Sequence, residues 1–336
     1  VGGVADYDTR IRDLAAAGKI LAPRVLASNM AVSVPGGHMA GSLAYEAHTA
    51  AEAAAFVEKI AGDKPDLIKL MITGGVLDAE VVGEPGVLRM QPELVKAACG
   101  KAHSLGMIVA AHVESPEGVM AALQNGVDSI EHGAQPNVEM IALFKQRKAF
   151  QISTISPALP YALFDRSISH ATYEQQENGK IVFDGIIALA KANLASGVPV
   201  GLGVDGSASN DGSSLMEELR TAFLLHRLNS SREAPSGYDF LKIATRGSAR
   251  LLGRDDIGSL SVGRCCDLFL IDSRRLELVG ACYDPKAVLA TVGVRGPVDY
   301  TVVNGRITVR EGRLARIDEE ATAREARMVC EKYLEQ

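Results

Sequence analysis

Cysteine is scarce in this sequence, no apolar run is long enough for a membrane helix, and there is no basic excess. The five cysteines, Cys99, Cys265, Cys266, Cys282 and Cys330, are odd in number and lack the spaced pairs of a zinc ribbon. A reducing cytoplasm is the simpler setting, and the adjacent Cys265-Cys266 suits packing better than a disulfide. No stretch approaches the roughly 18 apolar residues of a membrane helix. Val1-Gly-Gly-Val has neither the basic start nor the apolar core of a signal peptide. With a net charge of -6, nucleic acid and acidic membranes are not expected partners. No Met stands at position 1, so residues are expected upstream.

What is present suits a large enzyme. Hydrophobic residues make up 47% of the 336 positions, enough for a sizeable core. The length would accommodate a closed α/β barrel of roughly 250 residues with a small satellite. The chain is organised around Gly197-Val-Pro-Val-Gly-Leu-Gly-Val-Asp205-Gly-Ser-Ala-Ser209, a short apolar strand that stops at a carboxylate followed by loop-forming residues. Three earlier strand-like runs end the same way, at Lys69, His112 and His132. In parallel α/β folds the carboxyl ends of strands carry the chemistry.

Around these runs, strand and helix signals alternate. Asp8 to Lys19 has helical spacing, Pro23 to Ser28 reads as a strand, and Ser33 to Gly41 as a Gly- and Pro-rich loop. Thr49 would cap a helix from Ala50 to Ala61, with Glu52 as capping-box partner. Helices follow over Gln91 to Leu105, Pro116 to Asn125 and Asn137 to Arg147, the first ending at Gly106 and the second at Gly126. Ser156 to Gln176 is irregular and could form a lid, with a helix from Gly179 to Ser196 after it. Further helices are expected over Leu215 to Arg227 and Tyr238 to Leu252. This many strand and helix units favour a (β/α)8, TIM-like barrel.

After Gly253 the pattern changes to strands, with an Asn304-Gly305 hairpin turn between two of them and a charged helix over Glu319 to Leu334. The expected organisation is therefore a barrel over 1–255, a small β-sandwich segment over 256–316 and a C-terminal helix over 317–336.

Imidazole, carboxylate and a modified lysine are ligands suited to Zn, Fe or Mn, and no cysteine lies at an expected strand end. A bound divalent ion lowers the pKa of water to about 7, and the resulting hydroxide can attack an amide or amidine carbon. Asp205 could take the proton and pass it to the leaving nitrogen. Lysine cannot bind metal as a cation, but its neutral amine can react with carbon dioxide to give a bridging carbamate. A lone His, Lys or Asp at a strand end is usually structural; placement on four strands together favours a metal site. His38 on its Gly-rich loop is either a substrate contact or loop packing, and Tyr161 is the candidate contact from the lid segment. His48, His103 and His226 lie in or beside helices and read as structural. Glu114 and Glu131 are expected to face away from the histidines they flank.

These motifs resemble the amidohydrolase superfamily of metal-dependent hydrolases. Pro35-Gly-Gly-His38, Ile68-Lys69-Leu-Met-Ile-Thr-Gly-Gly75, Ala111-His112-Val-Glu and Ile130-Glu-His132-Gly look like its imidazolonepropionase-like and Xaa-Pro dipeptidase branch. The resemblance implies that Lys69 is a carboxylated bridging lysine, that His112 and His132 ligate an ion, and that Asp205 is ligand and general base. One or two ions, zinc first, would be bound. Gly258-Ser-Leu-Ser-Val-Gly-Arg and Val303-Asn-Gly-Arg306 resemble the superfamily's β-sandwich return.

Two departures accompany the resemblance. The branch carries a His-x-His pair on its first barrel strand, and this sequence contains none. The chain is expected to start at the end of the second strand, so a truncated barrel is the favoured reading. The second departure is Gly203-Val-Asp205 onward to Arg220, which resembles the 8-oxoguanine deaminase and triazine-hydrolase branch, so the halves point at different substrates. Lys69 favours the dipeptidase-like half, because the deaminase branch typically needs one ion and no lysine there. The expected function is cleavage of a C–N bond in a cyclic amide or small peptide-like amide. An aminohydrolase of a purine-like or triazine ring, and a non-catalytic barrel used as a binding or assembly module, remain as alternatives. Small-molecule substrates are the expected partners, with homo-oligomerisation left open.

Overall fold

The computed structural model describes residues 2–155, 158, 161, 165–206, 210, 212–228, 234–294 and 296–335. Two compact units divide the chain, Val1–Thr221 and Ala222–Gln336. In the first, strands β1 (Ala31–Ser33), β2 (Ala44–Glu46), β3 (Leu67–Met71), β4 (Ile108–Val113), β5 (Ser129–His132), β6 (Phe150–Ser153) and β7 (Val200–Leu202) form one parallel sheet in the order β2-β1-β3-β4-β5-β6-β7. This is the α/β architecture of a TIM-like barrel. Its edges are β2 and β7, and among the described residues no ladder joins them.

The longer helices before and between these strands are α1 (Tyr7–Ala16), α2 (Ala50–Ala61), α3 (Pro92–Ser104), α4 (Pro116–Gln124), α5 (Val138–Arg147) and α6 (Tyr173–Ala195). Short polar side chains start most of them. Thr49, Ser115 and Asn137 each accept a backbone N–H of the first turn. Glu52 departs from the expected capping box, because its carboxylate takes the N–H of His48, one residue before the cap, at 2.7 Å. Pro116 fills the first position of α4, where its missing N–H costs nothing. The outward sheet face, with Ile68, Leu70, Val109, Ala111 and Ile130, buries against Val57, Val95, Val119, Met140 and Phe144 in one apolar core.

Three expectations need correction. Pro23 to Ser28 is not a strand; β1 lies at Ala31–Ser33, between that run and the expected loop, sharing only Ser33 with the loop. The earlier stretch is tied instead to Asp66, whose carboxylate takes the Ala27 N–H at 2.7 Å. Helix α6 starts six residues before Gly179, because Thr172 and Gln175 close a capping box. The expected lid therefore overlaps α6 at its end, and much of the rest (156, 157, 159, 160 and 162–164) lies outside the described residues.

The second unit holds a four-stranded antiparallel sheet, β11-β10-β9-β8, from β8 (Leu268–Leu270), β9 (Tyr300–Val303), β10 (Arg306–Arg310) and β11 (Arg313–Leu314). The hairpin between β9 and β10 turns at Asn304 and Gly305, with φ of 49° and 77°, the pair of positive values a two-residue turn requires. The expected helix over Tyr238 to Leu252 is broken, regular over Gly237–Lys242 and Ser248–Leu251 with a wider turn between. A helix over Glu319–Leu334 ends the chain. Among the described residues no helix is long and apolar enough to cross a membrane.

Gly185 of α6 sets how closely that helix lies on the segment after β5. A Cβ there would stand 2.9 Å from the Gln135 nitrogen and 3.0 Å from the Ala134 carbonyl carbon, both backbone atoms that cannot swing aside. Gly185→Ala is expected to destabilise the protein by about 1–3 kcal/mol, read as a lowered urea midpoint, although alanine favours helix elsewhere. An unchanged or raised midpoint would contradict this close packing.

Candidate active site

Strand register decides which side chains face the barrel interior. In β3 and β4 Lys69 pairs with Ala110 and Met71 with His112, and in β5 Glu131 pairs with His112. Registered neighbours share a face and alternate residues return to it, so Lys69, His112 and Glu131 lie on one side. That is the side opposite the apolar core. Lys69 is 4% exposed, His112 5%, Glu131 8% and His132 8%. Glu131 accepts a 2.5 Å hydrogen bond from the Ser129 hydroxyl two residues earlier on the same face.

His132 follows Glu131 and by alternation would face outward. Its backbone instead takes φ of 67° at the end of β5, and its ring stands 4.8 Å from that of His112 at 72°. A left-handed residue at the strand end thus turns the imidazole inward. Asp205, beyond β7, has the same departure, φ of 65°. Its side chain is exposed and accepts the Gly206 N–H at 2.8 Å, yet its charge is felt by both Lys69 and His132. Of the loop beyond it, 207–209 and 211 lie outside the described residues.

Glu114 corrects the expectation that it faces away. Two residues from His112, it falls on the same side of an extended chain, and spacing alone could have shown this. One ligand atom each from His112, Glu114 and His132 lie within 4.8 Å of one another. Glu131 likewise shares the face of His112, as the register requires. Of the two acids, Glu114 was legible from period-two arithmetic alone.

His38 stacks on His112, with centroids 4.2 Å apart and planes 9° from parallel. Its Nδ1 is 2.5 Å from Asp78 Oδ2, which also accepts the Gly75 N–H at 3.0 Å. Gly75 makes room for the stack, since a Cβ there would approach His38 to 3.1 Å and His112 to 3.4 Å. Asp78, which no sequence pattern marks, lies in the 76–86 loop after β3. The loop is pinned by α6: Asn178 is fully buried, accepts the Gly83 N–H and donates to the Val81 carbonyl, both at 2.8 Å. Tyr161 is partly exposed, and its carbonyl accepts from the Gln176 side chain. His103 and His226 behave as structural groups, the first bonded to Asp128 at 2.8 Å and the second against Phe240.

Burial governs the charges here. Desolvation lowers the Lys69 pKa against the opposing pull of Glu131 and Asp205. It drives His112 well below the usual imidazole range, helped by His132, His38 and Lys69, and takes His132 to about 4. Glu114 is pushed up to about 8, again by burial first, with the Val76 N–H opposing. The His38 hydrogen bond holds Asp78 below the usual carboxylate range. Tyr161 is raised by burial and by the nearby Glu114.

The donor set fits a divalent cation. His112 Nε2 faces the Gly74 carbonyl at 3.2 Å, leaving Nδ1; His132 Nδ1 is held by the Thr154 hydroxyl at 2.5 Å, leaving Nε2. Each imidazole is neutral, and each has one nitrogen anchored and the other available, as metal-ligating histidines commonly have.

Several known proteins resemble this chain in fold and sequence. Over 97% of its length the chain matches a putative prolidase from Bifidobacterium longum, covering 76% of that chain, with a TM-score of 0.73 and 30% identity. A triazine-type neighbour, an atrazine chlorohydrolase mutant from Arthrobacter aurescens TC1 complexed with zinc and atraton, gives a TM-score of 0.64 at 24% identity, covering 88% of this chain and 64% of that one. Among curated proteins, hydroxydechloroatrazine ethylaminohydrolase of Pseudomonas sp. (strain ADP) is 49% identical over 138 residues, which is 40% of this chain and 29% of the relative. The 8-oxoguanine deaminase of Pseudomonas aeruginosa is 43% identical over 124 residues, 37% of this chain and 27% of the relative. These matches span less than a third of either curated relative. The amidohydrolase family model matches residues 2–308, and the chain belongs to the amidohydrolase family.

Proposed function

We propose that this chain carries the active site of a metal-dependent amidohydrolase that cleaves a C–N bond in a cyclic amide or small peptide-like amide. The observation that carries the reading is the buried Lys69 on the interior face that also presents His112 and, through its turned backbone, draws in His132. An unmodified lysine, only 4% exposed among imidazoles, has little to offer except as a free amine. With its proton disfavoured it can take up carbon dioxide, and the carbamate would be an added carboxylate.

His112, His132, the Lys69 carbamate and Asp205 are the residues that would hold one or two ions, zinc first. The cation would supply Lewis-acid polarisation and lower the pKa of bound water to about 7. Asp205 accepts a proton from the attacking water and returns it to the leaving nitrogen. His38, fixed by Asp78 and stacked on His112, presents its other nitrogen to the substrate. Tyr161 contributes a phenol on the side of Glu114. The cytoplasm is the proposed compartment.

A second reading has its own support, the 49% identity to an ethylaminohydrolase of a triazine. Under it, ammonia or an amine leaves a heterocycle. The two are separated by assaying the zinc-loaded protein. Ninhydrin-positive release from small dipeptides or opening of cyclic amides is expected; ammonia release from a heterocycle panel alone would favour the second reading. Asp205→Asn is expected to lower kcat by about 10²–10⁴-fold with the metal content kept, and parent-like kcat would remove Asp205 as the base.

The imidazole pKa values also fix a pH dependence of the metal-free protein. His132 has a folded-state pKa near 4, below the usual 6.5. Between those values the unfolded chain binds a proton that the folded chain does not, so stability is lost as pH falls through this window. Glu114, raised to about 8, acts the other way and loses its contribution as pH rises. Metal-free His132→Gln is therefore expected to lose less stability than the parent between pH 6.5 and 4.5, by about 2 kcal/mol, in urea unfolding at stepped pH. Parallel slopes would contradict a neutral buried His132.

A further inference from the structure

We propose that Glu114 is a third protein ligand of the cation held by His112 and His132, so that the described residues contain a compact site of two imidazoles and one carboxylate. The inference rests on the metal-dependent reading above and deepens it.

The first support is distance. The three donor groups lie within 4.8 Å of one another. Bonds of about 2.0–2.2 Å place neighbouring ligand atoms roughly 3–3.5 Å apart, so closing on an ion asks the side chains to move about 1 Å. That is within the reach of small rotations. A second support is orientation. Glu114 Oε2 accepts the Val76 N–H at 2.9 Å, which fixes the carboxyl and leaves Oε1 unassigned. His112 and His132 are anchored in the same one-sided way, through Gly74 and Thr154. Three donors each tied at one atom and open at the other is the arrangement in which outer partners aim ligands at a shared point.

A third support is economy of strand geometry. His112 ends on the interior face, and Glu114, two residues on, needs no unusual backbone to return to it. Its own N–H donates to the Thr73 hydroxyl at 3.0 Å, which holds the chain extended past the end of β4. Asp205, by contrast, is exposed with Oδ1 engaged by Gly206. For a first ion, Glu114 is the better-placed carboxylate. The competing role is structural, since Glu114 also clamps the loop after β3 through Val76.

Substitution by glutamine separates the two roles. The amide side chain keeps the shape and an acceptor for the Val76 N–H, and loses the anionic ligand. The experiment strips metal from the full chain and titrates it with Zn²⁺ alone by calorimetry, then records the visible absorption of the Co²⁺-loaded protein. Glu114→Gln is expected to weaken zinc binding at least tenfold and to change the cobalt bands, with far-UV circular dichroism unaltered. Parent-like zinc affinity together with an unchanged cobalt spectrum would overturn the proposal. Should Glu114→Gln not fold, Glu114→Asp is read in the same way, because its shorter reach weakens a ligand but keeps the charge. If the parent binds metal and His112→Ala abolishes it while position 114 has no effect, this inference alone falls. A parent that binds no zinc removes the metal-dependent reading along with it.

Discussion

Desolvation of positive charge is the constraint on which the barrel interior depends. Lys69, His112 and His132 are almost wholly buried on or beside one sheet face. The opposing charges acting on Lys69 come from Glu131 and Asp205. Isolated buried cations are costly, so burial lowers the pKa of each of these groups. Neutral imidazole and neutral amine are the forms that bind metal and react with carbon dioxide. The physics that would make such residues poor core fillers suits them to the ligand role proposed above.

The rest of the unit fixes these groups in place. The interior residues stand on strands whose outer faces are packed into a single apolar core, so their positions are set by burial elsewhere. Around them, outer partners take one atom of each functional side chain: Thr154 for His132, Gly74 for His112, Val76 for Glu114 and Asp78 for His38. The loop carrying Asp78 is in turn held by the buried amide of Asn178. Glycines at 75 and 185 allow the close approaches that this requires. Rigid strands below and tied loops above give a site whose geometry is decided before any substrate arrives.

Much of this was legible in residue order because it depends on local chemistry. The strand carrying Lys69, the run ending at His132, the cap at Thr49, the helix starting near Asn137, Pro116 before Gly126, and the Asn304-Gly305 turn all write their structure in short patterns, although β3 runs on past Lys69 to Met71. Period-two spacing also holds the inward face of Glu114, two residues from His112, whereas Glu131 shares a side with His132 because the backbone of His132 leaves the alternation. Other features have no local mark. The left-handed backbone at His132 and Asp205 follows from where the strand must stop, and the pairing of His38 with Asp78 joins residues 40 apart. Helix α6 extended past its apolar pattern because a capping box outweighed the irregular composition before it. Strand β1 displaced the expected Pro23–Ser28 run because the carboxylate of Asp66, distant in sequence, claimed the earlier backbone.

Family membership leaves the substrate to be decided by loops, and the comparisons pull two ways. Structural likeness to a putative prolidase runs along almost the whole chain, whereas identities of 49% and 43% to a triazine aminohydrolase and a deaminase cover about two fifths of it. The proposed centre would suit either, since each chemistry needs activated water near a carbon bonded to nitrogen. The most direct test of that centre is a crystal structure of the zinc-soaked protein, recorded at the zinc absorption edge. The account predicts an anomalous peak within bonding distance of His112 Nδ1 and His132 Nε2, on the Lys69 side of the barrel interior. A strong peak elsewhere, with those two nitrogens bare, would contradict it.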